Sequence, residues 1–400
     1  MTPSCSGRTY PFGLILLGAL GLAACREEDT VTDPGAGAPL MAEASAAPAF
    51  ATLAAGRYYT CGLTSEGRAF CWGNNDAGQL GDGSTTARLR PVPVAGGLAF
   101  RAITAGAGHT CGVTTDSRLY CWGNGRYVGI ASPPVRTDGP MAVAPSVRFQ
   151  NVYAGFSHTC AITEGDRRAY CWGDGFAGEL GDGSGDYRAT PVAVAGGRQW
   201  RQLSIGYEFS CGITTGRKGF CWGKDNEGQL GNDAASAKKL TPVAVADDHV
   251  FEQIDSGMLH TCAVDAGAQI WCWGFGQQGQ IGDGRLLRRY TPRAVAGTRQ
   301  FGRVSAGTGH SCAETIDGLA FCWGDNTFGQ LGTGTAGDSI PRPARVNGGF
   351  HFAQVTAGGD HTCGRSSAGV ARCWGRNSDG QLGDGTTTNR PAPTLVAGPA

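Results

Sequence analysis

The chain has 400 residues, of which 67 are glycine, 41% are hydrophobic and only 16% are charged. Its 33 basic residues balance 33 acidic ones, so no global field draws it to nucleic acid or anionic lipid, and a charge-driven partner would need a local patch. Sixteen cysteines are unusual for a reducing cytoplasm and point to an oxidising compartment.

Residues 1–10 are polar, and Arg8 with the free amine supplies the only positive charge. An apolar run follows from Pro11 to Leu22. It is short for a membrane-spanning helix but suits the apolar region of a signal peptide. It leads into Leu22-Ala23-Ala24-Cys25, which resembles the lipobox of bacterial lipoproteins. That resemblance implies that residues 1–24 are a lipoprotein signal peptide. It also implies that Cys25 receives a diacylglyceryl group and becomes the new N-terminus. Ordinary secretion is the alternative. Arg26, where Asp would retain such a lipoprotein at the inner membrane, implies passage to the outer membrane. Residues 25–49 then form the lipidated cysteine and a flexible tether. Its 24 residues after Cys25 are small, acidic and Pro/Gly-interrupted, and would span roughly 25–30 Å as a coil.

From residue 50 onward the chain repeats itself. Cys-Trp-Gly recurs with its tryptophan at Trp72, Trp122, Trp172, Trp222, Trp273, Trp323 and Trp374, a period of about fifty residues. Each unit holds four short β-type segments, represented in the second copy by F-x-x-I from Phe100, T-C-G-V-T from Thr110 and L-Y-C-W from Leu119. The fourth, a P-V-x-V segment, is seen in the first copy from Pro91. One such sheet cannot bury both its faces, whereas sheets stacked radially can, and only short edges then remain exposed. The expectation is an all-β, seven-bladed β-propeller of four-stranded antiparallel blades over residues 50–400.

The pattern A-G-x-x-H-T followed by W-G-x-N-x-x-G-Q-L-G-x-G resembles the regulator of chromosome condensation repeat family, whose members are seven-bladed propellers. Some copies depart from it. Copy two reads Asn124-Gly125-Arg126-Tyr127-Val128-Gly129-Ile130 in place of the Gly-Gln-Leu-Gly loop, so that loop is expected to be remodelled. Copies one and four carry Tyr59 and Phe209 for the histidine, and copy six has Thr333 where most others have Asp.

Apart from Cys5 and Cys25, the cysteines pair as Cys61 with Cys71, Cys111 with Cys121, Cys160 with Cys171, Cys211 with Cys221, Cys262 with Cys272, Cys312 with Cys322 and Cys363 with Cys373. In a hairpin folded at residues 115–117, Cys111 faces Cys121 and Val113 faces Leu119, which is within disulfide reach. A zinc site built on His109, Cys111 and Cys121 is the competing reading, with reduced core thiols a third. Copies one and four lose the histidine and keep both cysteines, so seven disulfides inside the blades are expected and no metal. Cys121 and Trp122 are neighbours on a strand and point to opposite faces, so each tryptophan should pack towards the disulfide side of a neighbouring blade.

Five histidines, His109, His158, His260, His310 and His361, share one repeat position. Equivalent positions in adjacent blades lie about 10 Å apart, too far to share one ion. They are expected to make structural hydrogen bonds. Asp82, Asp182, Asp283 and Asp384 of the Gly-Asp-Gly turns read as turn residues. The segment after that turn carries a basic residue in every copy: Arg88 and Arg90, Arg136, Arg188, Lys238 and Lys239, Arg285 with Arg288 and Arg289, Arg342, and Arg390. In a propeller these would lie on one side of the disc, either as a basic collar able to attract an acidic protein or polysaccharide or, since acids such as Asp186, Asp233 and Asp338 dilute them, as ordinary solvated loop surface.

No nucleophile elbow, phosphate loop or HExxH helix occurs, and no cofactor is expected. The reading favoured by the sequence is a monomeric, non-catalytic binding propeller at the cell surface. It would hold a protein or polysaccharide through its loop faces, touch the membrane only through its lipid and bind no nucleic acid. The alternatives are an extracellular hydrolase or lyase with carboxylates in the central channel, and an exchange-type regulator by family analogy.

Overall fold

The computed structural model describes residues 47–234 and 237–399. The expected signal segment, Cys25 and the tether to residue 46 lie outside the described residues. In the first repeat the four segments form β1 (Phe50–Ala55), β2 (Tyr59–Thr64), β3 (Ala69–Gly73) and β4 (Arg88–Pro93), hydrogen-bonded in chain order as one antiparallel sheet. The other six repeats do the same, giving seven four-stranded blades. The first strand of each blade lies beside the first strand of the next, and that of the seventh beside β1, so the blades form a closed ring around a channel. No strand is exchanged at closure, because every sheet comes from one repeat. The sole helical element among the described residues is a 3-10 turn, Gly125–Tyr127, in the remodelled loop of copy two.

The cysteine register is the one the hairpin demands. Cys111 faces Cys121 and Val113 faces Leu119. Cys211 likewise faces Cys221 in blade 4, and Cys312 faces Cys322 in blade 6. All seven disulfides are present, with Cα atoms 4.0–4.1 Å apart. Copy three, with one extra residue, keeps Cys160 opposite Cys171 because the turn absorbs the insertion. Strand alternation sends each tryptophan the other way. Trp122 packs in one buried cluster with Cys61 and Cys71 of blade 1, and Trp172 with Cys111 and Cys121 of blade 2. Trp273 packs with Cys211 and Cys221 of blade 4, and Trp374 with Cys312 and Cys322 of blade 6. The pattern runs round to Trp72, which packs with Cys363 and Cys373 of blade 7. The hydrophobic core is therefore seven inter-blade cores, each made by two repeats.

The Gly-Gln-Leu-Gly loop follows from that packing. Leu80 is fully buried. The Gln79 side chain accepts from Ala77 N at 2.9 Å and shapes the turn. Gly81 has φ +68°, and a Cβ there would lie 2.5 Å from Trp122 Nε1 of the next blade, so only glycine lets the loop lie on that indole. The Gln79 carbonyl then accepts twice from blade 2, from Trp122 Nε1 at 3.0 Å and from Thr110 Oγ1 at 2.7 Å. The same pair of bonds recurs at Tyr127 O, Glu179 O, Gln229 O, Gln280 O, Gln330 O and Gln381 O. Copy two keeps the acceptor although its loop differs, because a backbone carbonyl needs no particular side chain.

Peptide mapping without reduction should therefore link each cysteine to its partner ten or eleven residues away, and a Cys71–Cys111 link would contradict the register. Replacing both Cys262 and Cys272 by Ala should lower stability by up to about 2.8 kcal/mol, read as a fall in the denaturation midpoint.

Candidate binding face

The channel wall is built from the first strands, whose channel-side edges have no strand partner among the described residues. Side chains of the preceding blade supply the missing acceptors. Ala154 N donates to Thr104 Oγ1 (3.1 Å), Ser256 N to Ser204 Oγ (2.8 Å), Ala306 N to Asp255 Oδ2 (3.0 Å) and Ala357 N to Ser305 Oγ (3.0 Å). Three glutamines clasp both the backbone N–H and the C=O of one residue of the next blade. Gln354, for example, accepts from Leu53 N at 3.0 Å and donates to Leu53 O at 2.8 Å. Enclosure in the ring raises the Asp255 carboxyl above the usual range, but both its oxygens are engaged, the other by Ser204 Oγ at 2.9 Å. In blade 6 Glu314, on the second strand, accepts from Val355 N of the next blade at 3.3 Å, and burial pushes its carboxyl up to about 7. These polar residues thus hold blades together.

The five histidines are fully buried and do the same outside the channel. Each Nε2 lies 2.7–2.9 Å from a Thr or Ser hydroxyl of the next blade: His109 to Thr159, His158 to Ser210, His260 to Ser311, His310 to Thr362 and His361 to Thr60. Those hydroxyls donate to the loop carbonyls described above, so they must accept from Nε2–H, and the imidazole is the neutral Nε2 tautomer. Its Nδ1 has no partner. Burial pushes His109, His158, His260 and His361 down to about 3 and His310 to about 4. In copy one the Tyr59 hydroxyl substitutes, donating to His109 O at 2.6 Å. Phe209 offers nothing polar to Thr261.

The disulfide cysteines also belong to the framework and contribute nothing to a binding surface. Cys61, Cys71, Cys111, Cys121, Cys160, Cys171, Cys211, Cys221, Cys262, Cys272, Cys312, Cys322, Cys363 and Cys373 are all fully buried. Within a pair the two sulfurs differ in surroundings. Cys211 Sγ and Cys312 Sγ each lie 3.7 Å from a hydroxyl of the next blade, Thr261 Oγ1 and Thr362 Oγ1. Their partners Cys221 and Cys322 sit on the third strands among apolar side chains, including Trp273 and Trp374 respectively. Neither reaches the face of the disc, so the role of Cys221 and Cys322 is covalent closure of the hairpin and packing between blades.

The loops that follow the first and third strands share one face of the disc. The basic segments lie at its rim, but the arrangement is less of a collar than the sequence suggests. Arg88, Arg188 and Arg390 pair with Asp82, Asp182 and Asp384 of their own Gly-Asp-Gly turns at 2.7–3.0 Å, and Arg289 pairs with Asp283 in the same way. Arg288 pairs with Glu227 at 2.6 Å, Arg136 lies 3.5 Å from Asp138, and Lys238 Nζ donates to Phe176 O at 2.9 Å. The turn aspartates also cap their turns, as Asp82 does by accepting from Ser84 N at 3.0 Å. Arg90, Lys239, Arg285 and Arg342 form no ion pair among the described residues, and they are the part of the collar still available. The signal that could have revealed the pairing was in the sequence. Asp and Arg stand six residues apart in four copies, and in copy six both are replaced, by Thr333 and Ser339.

At the centre of the same face a second group gathers, which the sequence analysis missed. The residues after the glycine that follows each first strand ring the channel mouth. Arg57 and Tyr58 come from blade 1, Phe156 from blade 3, Tyr207 and Glu208 from blade 4, Met258 from blade 5 and Asp360 from blade 7. The Arg57 guanidinium carbon lies 4.7 Å from the Tyr58 ring centroid and 4.5 Å from that of Phe156. Phe156 meets Tyr207 edge-on at 4.7 Å. Lys224 pairs with Glu208 at 2.6 Å and lies over Tyr207, and Arg376 pairs with Asp360 at 3.4 Å and lies over Tyr58 and Phe328.

Residues 4–296 match the family model for the RCC1-like domain. The chain belongs to the RCC1-like family. Models of the single regulator of chromosome condensation repeat match the remainder, at 317–364 and 373–400 for one and at 303–330 and 352–381 for another. Among solved structures it is similar to Prp20p of Saccharomyces cerevisiae (22% identity, TM-score 0.73, 85% of this chain and 87% of that one). Human WBSCR16 matches at 21% identity and TM-score 0.72, covering 79% and 86%. The CRINKLY WD40 ectodomain of the Arabidopsis thaliana receptor kinase ACR4 matches at 21% and 0.52, covering 82% and 95%. At these identities the likeness is one of fold. Within the RCC1-like frame, the histidine and the glycine-rich loop are framework, and the mouth residues vary from blade to blade.

The histidines set a pH dependence. Between about pH 6.5 and the depressed native value, the unfolded state binds a proton and the native state does not, so stability rises with pH and is lost on acidification. His260→Phe, the residue copy four already uses, should flatten the stability profile below pH 6 by up to about 1.4 kcal/mol per pH unit relative to the parent. Denaturant titrations of both proteins at pH 4.5, 5.5 and 7 check this, and parallel profiles would contradict it.

Proposed function

We propose that this chain is an exported, non-catalytic binding propeller that presents its loop-bearing face to a protein or polysaccharide at the cell surface. One observation carries the reading. Asp255 and the five histidines each join one blade to the next, whereas the mouth holds cations and aromatic rings that the ring does not need for closure. Arginine and aromatic residues dominate the energetics of protein interfaces, and a rigid disc presents them without an ordering cost. Seven disulfides favour an extracellular location. That location argues against the exchange-type reading. Prp20p is described by its binding to Gsp1p and histones, and an exported propeller would need partners outside the cell. Anchoring through Cys25 and delivery to the outer membrane belong to the same proposal.

Two measurements test it. A photo-crosslinking residue at Phe176, 62% exposed on the loop-bearing face, should give an adduct on intact cells, and one at Ile316, 67% exposed on the opposite face, should not. Adducts from Ile316 alone would overturn the choice of face. Cys25→Ser should abolish labelling by radioactive fatty acid, and normal labelling would overturn the anchor.

A further inference from the structure

The mouth has a specific electrostatic shape. Arg57 arises from blade 1, and its guanidinium reaches the Phe156 ring of blade 3. It can cross blade 2 because Ala107 and Gly108 stand at the equivalent positions there. The guanidinium carbon lies within 5 Å of both ring centroids, and an aromatic ring takes up none of its N–H donors as a hydrogen-bond acceptor oxygen would. Arg57 forms no ion pair or side-chain hydrogen bond among the described residues. Asp360 feels its charge but is held by Arg376 at 3.4 Å. The two other cations of the mouth, Lys224 and Arg376, have carboxylate partners.

The floor of the mouth cannot compete for an anion. It is glycine backbone whose N–H groups bond within their own blades, and the N–H groups of the residues that follow are spent, in six blades of seven, in blade-to-blade bonds. Arg57 N donates to Gly106 O (3.1 Å), Ala107 N to Gly155 O (3.1 Å), Met258 N to Gly307 O (3.2 Å) and Gly359 N to Gly56 O (3.1 Å). An incoming anion therefore finds one cation without an ion pair, Arg57, beside the neutral hydroxyls of Tyr207 and Thr308. The walls are apolar, supplied by Phe156, Tyr207 and Met258, so a charge pair formed there is partly shielded from water and stronger than one at the rim.

We propose that the channel mouth receives a carboxylate at the tip of a protruding loop of a partner protein, and that the Arg57 guanidinium is the group that holds it. This rests on the binding reading above and deepens it. A carboxylate matches the in-plane donors of Arg57 in the two-pronged geometry that guanidinium groups favour. Apolar residues flanking it on the loop would meet Phe156, Tyr207 and Met258. A protein fits better than a polysaccharide because the rings are not open platforms. Tyr58 already has Arg57 and Arg376 at 4.7 and 5.2 Å, and Phe156 has Arg57 and the Tyr207 edge. Sugar rings stack on uncovered aromatic faces, and these are covered.

The test selects a library of disulfide-cyclised random peptides on the immobilised full chain. Alginate serves as an acidic polysaccharide probe. Selected peptides are expected to carry Asp or Glu at the loop tip, and changing that residue to Asn or Gln should weaken binding at least tenfold, the scale of a bidentate charge-assisted contact. Arg57→Ala should cause a similar loss. Arg57→Lys, which keeps the charge and the fold but not the fork, should recover only part of it. Arg285→Ala at the rim should leave binding unchanged. Acid-tipped peptides that bind Arg57→Ala as well as the parent would overturn the proposal, as would selected peptides without an acid at the tip. Arg57-dependent retention of alginate without peptide binding would overturn the partner class. Binders that map to the opposite face would overturn the mouth but leave the binding function standing. If no probe is retained by the parent chain, the binding function falls with it.

Discussion

A four-stranded blade leaves two things unsatisfied, an unpaired strand edge at the channel and an apolar face too large for one repeat to cover, and the next blade supplies both. The decisive contact is the loop carbonyl at the glutamine position, which accepts from the tryptophan indole and from the Thr or Ser hydroxyl of the following blade. It is backbone, so it survives where the loop changes, as at Tyr127. It orients the hydroxyl, which fixes the histidine tautomer one blade back. Placing the indole also settles which side of the sheet remains for the disulfide. At the seam between blades 7 and 1 the same contact joins Trp72 and Thr60 to Gln381 O, so closure uses no device of its own.

The division of labour between framework and face follows. Each recurring polar residue has a partner in its own or the adjacent blade, so its identity is dictated by the ring. Side chains at the positions just after the glycine that follows each first strand have no such duty, and there the seven copies diverge, from Arg57 and Phe156 to Ala107 and Gly359. Rigid support beneath a variable surface is the physical arrangement a recognition protein needs, because the order of the disc is established before any partner arrives.

Much of this was legible in the sequence. The period gave the blade count, the ten-residue cysteine spacing gave the disulfide register, and strand alternation placed the tryptophans. The spacing also put Cys221 and Cys322 opposite their partners, although not the different surroundings of the two sulfurs in each bridge, which depend on the next blade. The histidines were correctly expected to be structural, although their partner is a hydroxyl that serves a turn carbonyl. The basic segments were read as a charged collar because each copy has a cation there, but a single-position count hides the aspartate six residues earlier. Arg88 and its equivalents are turn-holding ion pairs before they are surface charge. The mouth was not legible. Arg57 meets Phe156 only because the ring brings blades 1 and 3 together above a small residue of blade 2, and no local pattern encodes that contact.

If the loop carbonyl is what makes seven repeats one body, its indole donors should open together. Hydrogen exchange of Trp72, Trp122, Trp172, Trp222, Trp273, Trp323 and Trp374 indole N–H groups, followed across sub-denaturing urea, reads this directly. The account predicts one common opening free energy for all seven, equal to that of global unfolding. Trp271, whose indole instead donates to Asp265 at 2.8 Å in a partly exposed position, should exchange faster. Stepwise exchange, with some of the seven opening blade by blade well below the global transition, would contradict it.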